Sequence, residues 1–166
     1  MTLSNAVRAA ALALALTALA GAARAQSLSL AGPDGQAAIL TAADIAALPH
    51  VTATIAIEGK SFTFRGVPLT DLLAKVGAPS GPALRGKALA DVVLVTCKDG
   101  YVVAFALAET DPKMRSGLVL LADQVDGKPL PDTAGPYRLV VEGDLRAARS
   151  ARMVTGIAVR RLAPGG

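Results

Sequence analysis

A single mixed α+β domain is what this sequence predicts, and three observations predict it. Val51, Ala53, Ile55 and Ile57 alternate with Thr52, Thr54 and Ala56, the period-two pattern of a half-buried strand. Leu69, Leu72, Leu73 and Val76 recur at i, i+3, i+4 and i+7, the stripe of a helix that buries one face against a sheet. Val92–Cys97 and Tyr101–Phe105, joined by Lys98-Asp-Gly100, form a hairpin pattern. Strands outnumber helices and no repeat or linker interrupts them, which is the mixed class rather than a series of βαβ units.

The other elements follow in chain order. Ser27–Leu30 is expected as a short strand and Gly32-Pro-Asp-Gly35 as a turn. Thr41 is placed to cap a short helix that runs to about Leu48, with Asp44 in its first turn and Pro49 helping to stop it. Glu58-Gly59-Lys60 turns the chain so that Phe62 and Phe64 return as the partner strand. Pro68 suits the first turn of the striped helix, Gly77 its C-terminal cap, and Pro79 blocks continuation. After a Gly/Pro loop and the hairpin come strands at Leu118–Ala122, Tyr137–Val141 and Ile157–Arg160, the last starting near Met153. Asp126-Gly-Lys-Pro129 is a turn and Pro131–Pro136 a loop.

The first 25 residues are expected to lie outside the fold. Arg8 supplies a thin positive region, Ala9–Ala20 is apolar, and Ala23-Arg-Ala25 offers the small residues a signal peptidase reads. Cleavage is expected before Gln26, so that residues 1–25 are a signal peptide and 26–166 one domain. A membrane anchor is disfavoured, because a spanning helix needs roughly 20 apolar residues. No Cys stands directly after the expected cleavage site, where Gln26 lies, and no Arg-Arg pair precedes the apolar run. The expectation is therefore Sec-type export of an unfolded chain to the periplasm or beyond, with no membrane span in the mature part.

Composition narrows the function classes. The chain has no Trp, two Tyr and three Phe, which argues against nucleic-acid stacking surfaces and aromatic-lined sugar sites. Cys97 is the only cysteine, so no internal disulfide forms and stability rests on packing. Charge is informative locally. Arg138–Arg161 holds six Arg against Glu142 and Asp144, or +4, whereas the rest of the expected mature chain is −2. Every base in that stretch is Arg, the cation suited to bidentate contact with phosphate or carboxylate.

Several pieces also occur in a telling order: Phe64-Arg-Gly-Val-Pro-Leu-Thr-Asp-Leu-Leu73, Lys98-Asp-Gly-Tyr101 between apolar strands, Leu120-Leu-Ala122, Asp126-Gly-Lys-Pro-Leu130, and Gly135-Pro-Tyr-Arg-Leu-Val-Val141 before a basic stretch. Together they resemble the oxidoreductase molybdopterin-binding domain shared by sulfite oxidases and related periplasmic reductases, over roughly Leu28 to Leu162. The resemblance implies a mixed, curved sheet with flanking helices. It implies a pyranopterin cofactor held by its phosphate and molybdenum held by one cysteine thiolate, in a segment before the Gly-Val-Pro-Leu helix. That segment here is Val51–Arg65 and contains no Cys, and Cys97 falls well after it. Exported enzymes of this kind generally load the cofactor in the cytosol and travel folded, a route the leader does not signal.

The cofactor-phosphate residues carry over better than the metal ligand. Arg138 matches the family arginine after Gly-x-Pro-x, and Arg149, Ser150 and Arg152 fall in its basic segment near the pterin phosphate. Thr133 stands where some relatives have Asn. The four residues make a candidate anion pocket; the competing reading is a solvated basic face, or Arg138 tied to Asp99 or Asp126. Cys97 shares parity with Val93 and Val95, which suits a small buried hydrophobe. His50 has no ligand-spaced neighbours and is expected at the surface or in a cap; Tyr101 and Tyr137 are expected in structural packing; Glu109 and Asp111 in a solvated turn or cap.

The leading expectation is thus an exported domain of this fold, binding molybdopterin or another anionic small molecule, with no catalytic residue and no metal expected. A genuine molybdopterin oxidoreductase with an atypical ligand is the second reading. An accessory protein for a membrane redox or signalling system, with a periplasmic or membrane protein as partner, is the third. No nucleic-acid partner is expected.

Overall fold

The computed structural model describes residues 27–162; the expected signal peptide lies outside the described residues. Strands β1 (Ser27–Ala31) and β2 (Ala37–Thr41) make an antiparallel hairpin, followed by helix α1 (Ala42–Ala46). Strands β3 (Val51–Ile57) and β4 (Lys60–Pro68) make the next hairpin and lead into helix α2 (Leu69–Ala74). Two 3₁₀ turns precede the hairpin of β5 (Val92–Cys97) and β6 (Val102–Ala106). Then come β7 (Val119–Val125), the two-residue β8 (Lys128–Pro129), β9 (Arg138–Val141) and β10 (Val154–Arg160).

Two sheets result. The first has the order β2-β1-β10-β5-β6, with β1 and β10 parallel and the other neighbours antiparallel. The second has the order β3-β4-β7-β8, with β9 also pairing β7 along Val119–Ala122. The expected single curved sheet with flanking helices is therefore corrected to two five-stranded sheets. The helical share is slight, since α1 and α2 span five and six residues.

The apolar runs explain the arrangement. One core cluster joins Leu28, Leu30, Val93, Val95 and Ile157 of the first sheet to Leu121 and Leu139 of the second and to Leu69 and Leu72 of α2. The alternate residues Leu120 and Val140 pack on the other face, with Ala53, Ile55 and Phe64. Strands β7 and β9 thus bury both faces, which is why Val119–Ala122 and Leu139–Val141 are continuously apolar rather than alternating. Among the described residues, no helix is long and apolar enough to cross a membrane.

The local signals act through recognisable chemistry. Asp44 N donates to Thr41 Oγ1 at 3.2 Å and Thr41 N to Asp44 Oδ2 at 2.8 Å, the reciprocal cap that starts α1. Pro68 closes β4, with φ −54° and ψ 137°, instead of opening the helix. The helix ends before Val76, which is nevertheless 1% exposed and completes the buried stripe.

Gly66 sits at the register shift between β4 and β7. A Cβ there would overlap the backbone of Leu121 and Ala122, so the two strands approach as closely as they do only because this position lacks a side chain. Gly66→Ala is expected to destabilise the fold by roughly 1–3 kcal/mol, the usual cost of overpacking. Denaturant unfolding checks this, and a variant as stable as the parent would contradict the close approach.

Candidate functional site

Successive residues of an extended chain point to opposite sides, and this alternation builds the site. Arg138 opens β9, opposite Ala122 of β7. It lines a cavity of about 830 Å³ whose wall also includes Ser150, Arg152, Cys97, Thr133 and Met153. One rim is the β3–β4 turn, Ala56 to Gly59. The other is the segment Leu145–Ala148, tied to the β5–β6 turn by the Tyr101 hydroxyl, which donates to the Ala148 carbonyl at 3.3 Å.

Arg138 is the unusual member. It is 8% exposed. Its guanidinium lies 5.2 Å from the centroid of the Phe64 ring, a cation–π contact that offsets part of the desolvation. Its Nε is buried without a hydrogen-bond partner among the described residues. Asp99 and Asp126, the acids with which it was alternatively paired, are engaged elsewhere: Asp99 Oδ1 accepts from Tyr101 N at 3.0 Å and Asp126 Oδ1 from Thr63 N at 2.9 Å. Burial pushes the Arg138 pKa down, and the charge of Arg152 adds to the shift.

The other expected site residues divide. Arg152 lines the same cavity and is exposed. Ser150 also lines it, but its Oγ accepts from Val141 N at 3.1 Å and so braces the end of β9. Arg149 turns away. Its Nε and Nη2 grip Asp144 at 2.9 and 2.7 Å, its Nη1 reaches Glu109 at 3.0 Å, and its guanidinium stacks 4.8 Å above Phe105. Hydrogen bonding to Asp144, more than that to Glu109, holds the Arg149 pKa above its ordinary value. Arg149 is thus a clamp on the segment that carries Arg146 to the cavity. Arg146, which the sequence reading did not single out, lines the cavity in its place.

Cys97 is 4% exposed and packs in the main core cluster, yet it also meets the cavity. Burial pushes its thiol pKa up, and Asp99 adds to the rise. Thr133 lines the same cavity. The other expectations fare variously. Tyr101 is half exposed at the cavity edge, whereas Tyr137 is buried. Glu109 caps a 3₁₀ turn by accepting from Ala106 N, but Asp111 is buried rather than solvated. Of the two places expected for His50, surface or cap, the structure shows the second: its side chain is 2% exposed, with Nδ1 2.7 Å from the Leu48 carbonyl oxygen just beyond α1 and Nε2 against Asp123.

The clamp yields a measurable expectation. Alanine substitution at Asp144 and Arg149, singly and together, should give a coupling free energy of about 1 kcal/mol for this partly exposed pair. Although burial alone would raise it, the Glu109 pKa lies below its ordinary value because Arg149 and Ala106 N donate to it. Its contribution is therefore full above the ordinary glutamate range and lost as pH falls through the lower folded-state value. Hydrogen exchange across residues 143–150 should accelerate at acid pH in the parent and at neutral pH in Arg149→Ala. Equal protection in both proteins would contradict the clamp.

Comparison with known proteins agrees with this architecture. A family profile described as "Oxidoreductase molybdopterin binding domain" matches residues 20–164. The fold is similar to the crystal structure of the sulfane dehydrogenase SoxCD from Paracoccus pantotrophus, with a TM-score of 0.63 and 18% identity. That similarity covers 82% of this chain and 38% of the other, so the chain spans well under half of its structural neighbour. No curated protein sequence matches the chain.

Proposed function

Because the chain belongs to the oxidoreductase molybdopterin-binding domain family, we propose that its Arg138 cavity binds the anionic group of a small molecule and that the domain acts as a binding module rather than a metal redox catalyst. One observation carries this reading: Arg138 is a buried cation without a protein counter-ion among the described residues. A charge removed from water is costly unless it is paired and hydrogen-bonded. An oxyanion delivered from solvent supplies both, and a guanidinium fork meets phosphate oxygens bidentately. Arg152 and Arg146 bring further positive charge to the same cavity, against Glu58 and Asp99.

The family's pyranopterin supplies redox chemistry when it carries molybdenum. Its phosphate end fits this site, since Arg138 would hold the phosphate with Arg152 beside it. The metal end does not fit. The β3–β4 turn, from the stretch where the resemblance expects the ligating cysteine, contributes Ala56, Ile57, Glu58 and Gly59 to the rim and no sulfur. The thiol that does meet the cavity, Cys97, is 4% exposed and belongs to the main core cluster.

The position of Cys97 on the same wall as Arg138 favours a second reading, in which this cysteine serves as an atypical ligand. Molybdenum and pterin content of protein purified from its native compartment separates the two. Substoichiometric metal is expected, and one molybdenum per chain would establish the oxidoreductase. Export to the periplasm belongs to the same proposal, and so does an accessory role beside a membrane partner; a pull-down with the domain over residues 26–166 tests the latter.

Calorimetric titration with inorganic phosphate tests the anion site directly. Replacing Arg138 with Gln should weaken binding at least tenfold, and Arg152→Gln by a smaller factor, because Arg152 is exposed and already solvated. Unchanged affinity in Arg138→Gln would remove the site.

A further inference from the structure

Along the strands of the first sheet, β2-β1-β10-β5-β6, alternate side chains enter the main core and the others point outward. The outward set is almost uncharged, since Arg160, at the end of β10, is the only charged residue in the five strands. Pairing aligns it in rows across the sheet. One row holds Ile39, Ser29, Gly156, Thr96 and Val102; the next holds Ala37, Ala31, Ala158, Leu94 and Ala104. Among the described residues this face lies open: Ile39 is 74% and Val102 49% exposed, and Ser29, Thr96, Ala37 and Ala104 are exposed as well.

The second sheet supplies the contrast. Where its β3–β4 hairpin faces solvent it carries Thr52, Thr54, Thr63 and Arg65, the polar-out pattern of a face that stays wet. Strands β5 and β6 instead run Val92-Val-Leu-Val95 and Val102-Val-Ala-Phe-Ala106, apolar outward as well as inward. The same continuity marks β7 and β9, which are covered on both sides. Five strands about 4.8 Å apart, with some six residues each at about 3.4 Å per residue, make a face of roughly 480 Å². An open apolar surface of that size marks a contact site. Two such faces together bury on the order of 1,000 Å², the lower bound for a specific interface.

We propose that this face binds a second copy of the chain, sheet against sheet, about a two-fold axis that crosses the strands between the two rows. The axis sets Ile39 against the second copy's Ala37, and Val102 against its Ala104, so that large side chains meet small ones. At the centre Gly156 meets the second copy's Ala158, and the lack of bulk there lets the sheets reach their usual spacing of about 10 Å. Arg160 lies a row further out, beside Val92, and faces the opposite end of the second copy's β10, so the two arginines do not meet. A strongly charged partner finds no counter-charges on this face, whereas an identical uncharged face matches it. The interface lies on the first sheet and does not depend on what the Arg138 cavity binds.

Sedimentation velocity over a wide concentration range, on protein over residues 26–166, should show a monomer–dimer equilibrium. In ¹⁵N spectra the amides of Ser29, Leu94 and Ala158 should shift with concentration. Ile39→Glu and Ala37→Lys, both at exposed positions of the edge strand β2, should each weaken the dimer at least tenfold, because each buries an unpaired charge between two copies. Mixed in equal amounts, the two variants should recover most of the association, since the axis sets the two substituted positions against each other with opposite charges. Thermal melting checks that both variants fold. A monomer at every concentration, which would leave the face to a different partner, would overturn the proposal. So would association that neither substitution weakens, concentration-dependent shifts confined to another surface, or no recovery on mixing.

Discussion

A guanidinium held out of water with no carboxylate beside it is the constraint around which this molecule is organised. Arg138 occupies that position because β9 is buried on both faces and its first residue emerges between the Phe64 ring and the cavity. Arg149, eleven positions further along, shows the contrast. Its fork is matched by Asp144 and Glu109, so its charge is satisfied within the protein and its work is structural. Arg138 has no such match, so its charge is directed at whatever enters the cavity. Arginine content alone does not separate these roles; burial and the whereabouts of the acids do.

Two cavities share one wall of the fold. Where Cys97 passes to Lys98, Asp132 to Thr133 and Tyr137 to Arg138, adjacent side chains line opposite cavities. Residues one position apart in sequence thus face different surfaces in space. Met153, in its left-handed conformation, is tied on both sides: its N–H donates to the Ala134 carbonyl at 3.0 Å and its carbonyl accepts from Lys98 N at 2.9 Å. These bonds hold a backbone geometry that is disfavoured for an unbranched side chain.

Local chemistry was legible in the sequence, and partner choice was not. The Thr41/Asp44 cap, the stripe Leu69–Val76 and the β5–β6 hairpin each depend on residues within a few positions of one another, and each formed. Strand β2 has little signal of its own, since Ala37 and Ala38 are weak strand formers and pairing with β1 creates it. Two sheets rather than one followed from pairings such as β1 with β10, more than a hundred residues apart. The basic cluster was visible as a charge excess, but Arg149 was assigned to it because its contact with Glu109, forty positions away, leaves no local trace. The contact of His50 with the Leu48 carbonyl, two positions away, is the local cap the sequence allows, whereas its contact with Asp123, 73 positions off, leaves no local trace. The family order of motifs was recoverable because it depends on sequence alone.

Thermal unfolding of the parent and of Arg138→Met across a series of phosphate concentrations bears most directly on the unpaired charge. Without phosphate, methionine removes a desolvated cation and should leave the melting temperature unchanged or raised. With phosphate, the parent alone should gain stability, by about 2.7 kcal/mol when the anion reaches a hundred times its dissociation constant. A variant that is less stable than the parent by the same margin at every phosphate concentration would show that Arg138 serves the fold and not a ligand.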